Sequence, residues 1–424
     1  MMKKIFLLSF LLMGMAAMAA PADTSQWRFR MHGFVNPVLF ADSRQVVSGR
    51  EGMMLFFPAA PAFDADGVDL NGIPLLNMLA ITARLNLTIE GPDVLGAKMR
   101  GFIEGDFTGA TDPTINMFRL RHAYLDMSWQ HHSILAGQYW HPMVIHEIMP
   151  MTQPLNMGAP FHPYARYNQF RYRFHTGCFE ALAVAAFQLD NKSQGPNGGS
   201  TSYLRNAMVP EMNVQLRYNG QNVMVGVAAN YRRLLPHTSY VADLLGNVRQ
   251  CRTTYDHISY SVFGRLRMGG WTLKAQTLLS DDLYEICSVG GYLSQYVAPS
   301  NAGEGHYNYA PWTYTTVWAD LGRNKGHWRP GIFMGYGRNN DFGLSVENNT
   351  EVYGRGFNIE YLYRVQPRIE YFAGNGLTLS LELEHTFAQY GQRVTDGTTG
   401  YHYEATPDMA VANTRGIFGI TYAF

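Results

Sequence analysis

Along much of the chain, apolar and polar residues take turns one by one. Ile81, Ala83, Leu85, Leu87 and Ile89 alternate with Thr82, Arg84, Asn86, Thr88 and Glu90. Met212, Val214, Leu216 and Tyr218 stand against Asn213, Gln215, Arg217 and Asn219, and Leu377, Leu379, Leu381 and Leu383 against Thr378, Ser380, Glu382 and Glu384. Phe357, Ile359, Tyr361 and Tyr363 repeat the pattern against Asn358, Glu360 and Arg364. A period of two sends successive side chains to opposite faces, so each segment predicts a strand with one greasy face and one polar face. Their lengths suit strands tilted through a bilayer, which need roughly 9–11 residues. A soluble sandwich also alternates, with its polar face in water and its apolar face against a second sheet.

The connections separate the two cases, because membrane barrels of bacteria place short turns at one end and long loops at the other. From Trp27 onward the chain keeps that rhythm. Longer connections cover 41–78, 108–114, 141–163, 190–210, 234–253, 281–310, 339–350 and 389–412. Short ones cover 91–95, 130–132, 176–177, 219–221, 269–270, 323–326 and 374–376. The expected fold is therefore all-β: a transmembrane antiparallel β-barrel of about sixteen strands, wide enough for a water-filled lumen. One segment fits poorly. Pro367 falls inside a strand read as Tyr353 to Ala373, where it removes a ladder hydrogen bond. Near His122 the apolar parity switches from Phe118 and Leu120 to Leu125 and Met127, which predicts a β-bulge around Arg121 and His122.

The two ends support export to an outer membrane. Lys3 and Lys4, an apolar run from Ile5 to about Met18, and Ala17-Met18-Ala19 have the order of a secretory signal peptide, which puts cleavage after Ala19. Residues 1–19 are then the leader and 20–424 a single barrel domain. At the other end Phe418, Ile420, Tyr422 and Phe424 alternate to the last residue, as in terminal strands read by the barrel-insertion machinery. Charged residues make up only 16% of the chain and aromatic residues 13%, with 42 glycines. The 33 basic residues match 33 acidic ones, so no nucleic-acid partner is expected. The three cysteines, Cys178, Cys251 and Cys287, allow at most one disulfide, and Cys251 and Cys287 are the candidates because both fall in outward loops.

Candidate chemistry concentrates between the fifth and sixth strands, where pore-forming barrels fold a loop inward. That segment carries His141, His146, Glu147 and His162, interleaved with Met143, Met149, Met151 and Met157. Pro142, Pro150, Pro154, Pro160 and Pro163 stiffen it, as a fixed constriction requires. Arg119 and Arg121 share a strand face, as do Arg171 and Arg173, and Arg166 lies close by. A basic stripe opposite the loop favours anions, unless Glu104, Asp106 and Asp126 neutralise it. The spacing of His146 and Glu147 matches no zinc pattern. No G-x-S-x-G or H-E-x-x-H motif occurs, so neither a cofactor nor an enzyme is expected.

Three stretches carry a resemblance. Phe102 to Phe107 (F-I-E-G-D-F), Arg119 to Asp126 (R-L-R-H-A-Y-L-D) and Leu135 to Trp140 (L-A-G-Q-Y-W) resemble the third to fifth strands of the phosphate-selective porin O/P superfamily and its dicarboxylate-type relatives. The resemblance covers about a tenth of the chain. It implies a sixteen- to eighteen-stranded, usually trimeric anion porin. Arg119 and Arg121 would lie on its arginine-bearing strand, and Gln138 and Trp140 on the strand entering the constriction. The coiled-coil N-terminus of the dicarboxylate type and the lysine-rich loops of the phosphate type are missing, so neither substrate follows. The expected function is passive diffusion of small hydrophilic solutes, preferentially anions, through a homotrimer in the outer membrane of a Gram-negative-type bacterium. The rival is a surface-binding or structural barrel without an open pore.

Overall fold

The computed structural model describes residues 26–153 and 157–424. The expected leader and Pro154 lie outside them. Sixteen antiparallel strands of the described residues close on themselves. Strand β1 comes in two pieces, Arg28–Val35 and Val38–Asp42, and β2 in Leu75–Leu79 and Arg84–Val94. Next come β3 (Ala97–Asp106), β4 (Arg119–Ser128), β5 (His132–Trp140), β6 (Arg166–Thr176), β7 (Phe179–Phe187) and β8 (Glu211–Asn219). The second half comprises β9 (Val223–Leu234), β10 (Tyr255–Met268), β11 (Trp271–Ser280) and β12 (Tyr314–Arg323). It ends with β13 (Trp328–Asn339), β14 (Ile359–Gly374), β15 (Leu377–Asp396) and β16 (Gly400–Ala423). Each strand pairs with its sequence neighbour, and β1 pairs with β16, so no edge is left open.

The alternation has its faces reversed relative to a soluble protein. On β8, Met212, Val214, Leu216 and Tyr218 are 50, 57, 64 and 40% exposed, while Asn213, Gln215 and Arg217 are 1, 2 and 6% exposed. The same inversion holds on β6, β10, β14 and β15, where Phe170, Val262, Ile369 and Leu381 point outward and Gln169, Ser261, Arg368 and Glu382 are buried. Water would not tolerate an apolar belt of that extent, since soluble monomers rarely expose contiguous patches above a few hundred Å². Lipid does, provided that every backbone group is paired within the barrel.

Several boundaries differ from the sequence-based expectation. The stretch 389–412 is not a loop. β15 and β16 run on as a hairpin closed by residues 397–399, and the register slips between Gln389 and Gly391. The slip sits opposite Thr406 to Met409, where Pro407 lacks a ladder donor, and Gln389 donates its amide to Thr406 O. The strand read as Tyr353 to Ala373 is two strands, because the chain turns at Gly356 with φ of +83°. Thr350–Arg355 joins Gly290–Val297 and His306–Trp312 in a separate three-stranded sheet. Pro367 is nevertheless accommodated within β14, exposed on the lipid side, and the register is the same on either side of it. Cys251 and Cys287 do not pair; all three cysteines are free, and burial pushes the Cys287 thiol up.

Candidate functional site: the polar lumen wall and the β5–β6 segment

The lumen-facing side chains of β3 and β4 form one tight ion-pair group. Arg121 donates to Glu104 at 2.8 Å and to Asp106 at 2.6 Å, and Arg119 donates to Asp106 at 2.9 Å. The expected bulge is what allows this. The β3–β4 register shifts between Glu104 and Gly105, so that Arg121 is the extra residue and both it and His122 turn inward. A bulge frees carbonyl groups from the ladder. Gln138 of β5 answers them, donating its amide to Leu120 O at 3.1 Å and Arg121 O at 3.0 Å. It lies on the outward parity, beside Ala123, where lipid offers no alternative partner.

β6 presents a different surface. Gln169, Arg171 and Arg173 alternate with the exposed Phe170, Tyr172 and Phe174, so the two arginines stand about 7 Å apart along one face. Arg171 donates to Gln169 at 3.1 Å and Trp140 O at 3.2 Å, with its guanidinium 4.9 Å from the Tyr139 ring centre. Arg173 donates to Ser133 at 3.2 Å. Arg166 lies 4.7 Å from the Trp140 ring centre and shares the Tyr164 hydroxyl with Arg121. None of Arg166, Arg171 and Arg173 forms an ion pair with a carboxylate of the described residues.

The segment 141–165 is tied to lumen-facing side chains of β8, β11, β12, β14 and β15. Gln215 donates to Pro142 O at 2.6 Å, Lys274 to Met149 O at 2.6 Å, and Thr316 to Phe161 O at 3.2 Å. The backbone N–H of Met151 donates to Asp320 at 3.1 Å, and that of Gln153 to Glu382 at 3.1 Å. Its ionisable residues are separated rather than gathered. His141 is enclosed and bonded to Glu211 at 2.7 Å, and His162 is enclosed edge-on against Trp318, with ring centres 5.2 Å apart. Glu147 is held by Arg217 at 3.0 Å, and His146 is exposed. No metal-binding group of three or more ligands occurs among the described residues.

A second segment reaches the same wall and was not anticipated. In the β1–β2 connection, Val46–Gly49 and Met54–Pro58 form a hairpin, and the carbonyls of Leu55 and Phe56 both accept from Arg364 at 3.1 Å. Arg364 also donates to Ala159 O at 2.6 Å, so one β14 arginine tethers both segments. Nothing periodic marks 46–58 for that role in the sequence. Arg217 was more legible, since it sits on the polar face of a cleanly alternating strand.

No family model matches the chain, and no curated protein matches it. Solved structures do. The outer membrane channel DcaP of Acinetobacter baumannii is 15% identical with a TM-score of 0.62, over 96% of this chain and 100% of that one. An anion-selective porin from Comamonas acidovorans is 10% identical with a TM-score of 0.57, over 94% and 100%. A trimer form of OmpT, an outer membrane protein of Vibrio cholerae, is 10% identical with a TM-score of 0.52, over 94% and 99%. At such identities the likeness is one of fold. Taken with the inverted surface, it makes this chain a membrane-spanning β-barrel with the fold of the porins. The likeness to the DcaP channel extends over nearly the whole of both chains.

Proposed function

We propose that the chain is a passive outer-membrane porin for small hydrophilic solutes, that it prefers anions, and that it works as a homotrimer whose mature form begins at Ala20. The segment 141–165 narrows the lumen in this reading, leaving the passage beside β3 to β6. Of the nine residues singled out from the sequence, Arg166, Arg171 and Arg173 act on the solute, with His146 and Glu147 on the facing segment. Arg119, Arg121, His141 and His162 hold the wall and the segment in place. The observation that carries the reading is the Arg171–Arg173 face on β6, two guanidinium groups toward the lumen without an ion-pair partner among the described residues. Basic rows along a pore favour anions. In planar bilayers under a salt gradient the wild type should give a reversal potential of anion-selective sign, and Arg171→Ala with Arg173→Ala should move it toward zero. Cation selectivity in the wild type refutes the proposal.

The alternative, a barrel without an open pore, draws on the apolar cluster that joins Met53 to Phe57, Met143 to Ile148 and Leu283 to Val289 across three connections. Single-channel recordings separate the two. Stepwise conductance supports the porin, and its absence in correctly inserted barrels supports the closed reading.

A further inference from the structure

Six of the long connections meet at one end of the barrel around a cavity of about 360 Å³. That volume falls within the ordinary range of small-molecule sites, about 300–1,000 Å³. The β1–β2 connection supplies Arg50 and Phe56, the β3–β4 connection Thr111, the β5–β6 segment Tyr164, the β7–β8 connection Lys192, the β11–β12 connection Tyr284, and the β13–β14 connection Arg355.

Arg355 is the central group. Its guanidinium carbon lies 3.9 Å from the Phe56 ring centre and 4.4 Å from that of Tyr284, so rings flank it. One N–H donates to Ser288 O at 3.3 Å, and no carboxylate of the described residues pairs with it. A guanidinium fixed in this way has already surrendered its rotamer freedom, which lowers the cost of binding an anion at its edge. Lys192 likewise makes no ion pair among the described residues. Arg50 donates its guanidinium to Ala110 O and its backbone N–H to the half-exposed Asp112 at 2.7 Å, with the guanidinium 3.9 Å from that carboxylate. Of the two lining carboxylates, Glu285 is taken by Arg232; Arg119 is held by Asp106 and Arg50 by Asp112, which leaves Asp190 against Lys192 and Arg355.

Cations alone would suit any anion. The aromatic walls narrow the choice, because the ring faces of Phe56, Tyr164 and Tyr284 offer apolar contact that a strongly hydrated inorganic anion cannot use. We propose that this cavity is a capture site for small organic anions with a flat apolar body, such as aromatic carboxylates, with Arg355 on the carboxylate and the rings on the body. The proposal rests on the anion-porin reading in one respect: the captured solute passes next to the cluster of Tyr164, Arg121 and Arg166 and then to the β6 arginines. Arg119 and Tyr164 line the cavity and belong to that cluster as well.

Benzoate and acetate serve as probes, titrated at equilibrium against the full barrel in detergent and followed by calorimetry. Benzoate should bind the wild type about tenfold or more tightly than acetate, because both share the contact to Arg355 and only benzoate buries a ring. Arg355→Gln should weaken benzoate about tenfold or more, because the carboxylate loses its charged partner. Lys192→Gln, on an exposed loop residue whose replacement leaves the fold intact, should weaken benzoate by a smaller factor. Equal binding of the two probes by the wild type, or full benzoate affinity in a folded Arg355→Gln barrel, overturns the proposal. Because binding is read without conduction, a barrel that is anion-selective yet indifferent to benzoate removes the capture site alone. One that binds benzoate but conducts without anion preference removes the conduction reading alone.

Discussion

Arginines line both sides of this lumen, yet the two sides use them differently. On β14 and β16 each buried arginine is locked to a carboxylate: Arg368 to Asp320 at 2.6 Å, Arg364 to Glu384 at 3.1 Å, and Arg415 to Asp42 at 2.7 Å. On β6, Arg171 and Arg173 meet neutral acceptors and a ring among the described residues, and no carboxylate. The locked pairs are enclosed, so their charges cancel where a solute would feel them least, and they hold the wall and its attached segments. Counting arginines would rank the two sides alike. Pairing separates a structural wall from one that can act on a solute.

Geometry explains how the locked side is built. Arg368 crosses β13 to reach Asp320 on β12, and the crossing needs a bare strand. A Cβ on Gly331 would stand 2.6 Å from the Arg368 guanidinium, and one on Gly335 would stand 2.5 Å from the Phe161 ring. At both places a side chain would have to displace its neighbour, the Arg368 guanidinium or the Phe161 ring, and the backbone conformation itself makes no demand for glycine.

The sharpest way to break the comparison is to remove one partner of a locked pair. Arg368→Ala strands the Asp320 carboxylate, which also receives the Met151 N–H, and should cost about 3–5 kcal/mol, the usual penalty for half of a buried pair. Denaturant unfolding in detergent reads it, and Arg368→Met combined with Asp320→Leu should recover much of the loss. The matching substitution on β6, Arg171→Ala, strands no carboxylate and should cost about 1 kcal/mol or less. Should the two costs prove equal, the division of the lumen into locked and free arginines fails. The smallest effect is expected from Glu104→Gln. Asp106 still holds both Arg119 and Arg121 in that variant and only Arg84, 3.6 Å from Glu104, loses its carboxylate, so the reversal potential should move slightly further toward anions.

The barrel was legible in the sequence because a strand's two faces are written locally. Alternation at 81–90, 212–219 and 377–384 sets which side chains meet lipid, and the parity switch at Arg121 marks the bulge without reference to any other strand. The hairpin of β15 and β16 was misread as a loop because Pro407 and Asp408 look like loop residues, whereas a bulge absorbs them and pairing continues beyond. Of the site, the residue types were visible but not their partners. Nothing local distinguishes Arg121, held by two carboxylates, from Arg171, held by none, since the difference lies in what β3 offers and β5 does not.

Local chemistry in the chain thus determined the strands, their two faces, the rhythm of turns and loops, and the supply of cations in the lumen. Closure of the barrel decided the rest: which charges cancel, which segments Arg364 draws together, and which loops enclose Arg355. Periodicity is a property of consecutive residues, whereas charge pairing and enclosure depend on strands and loops far apart in sequence that meet only when the sheet closes.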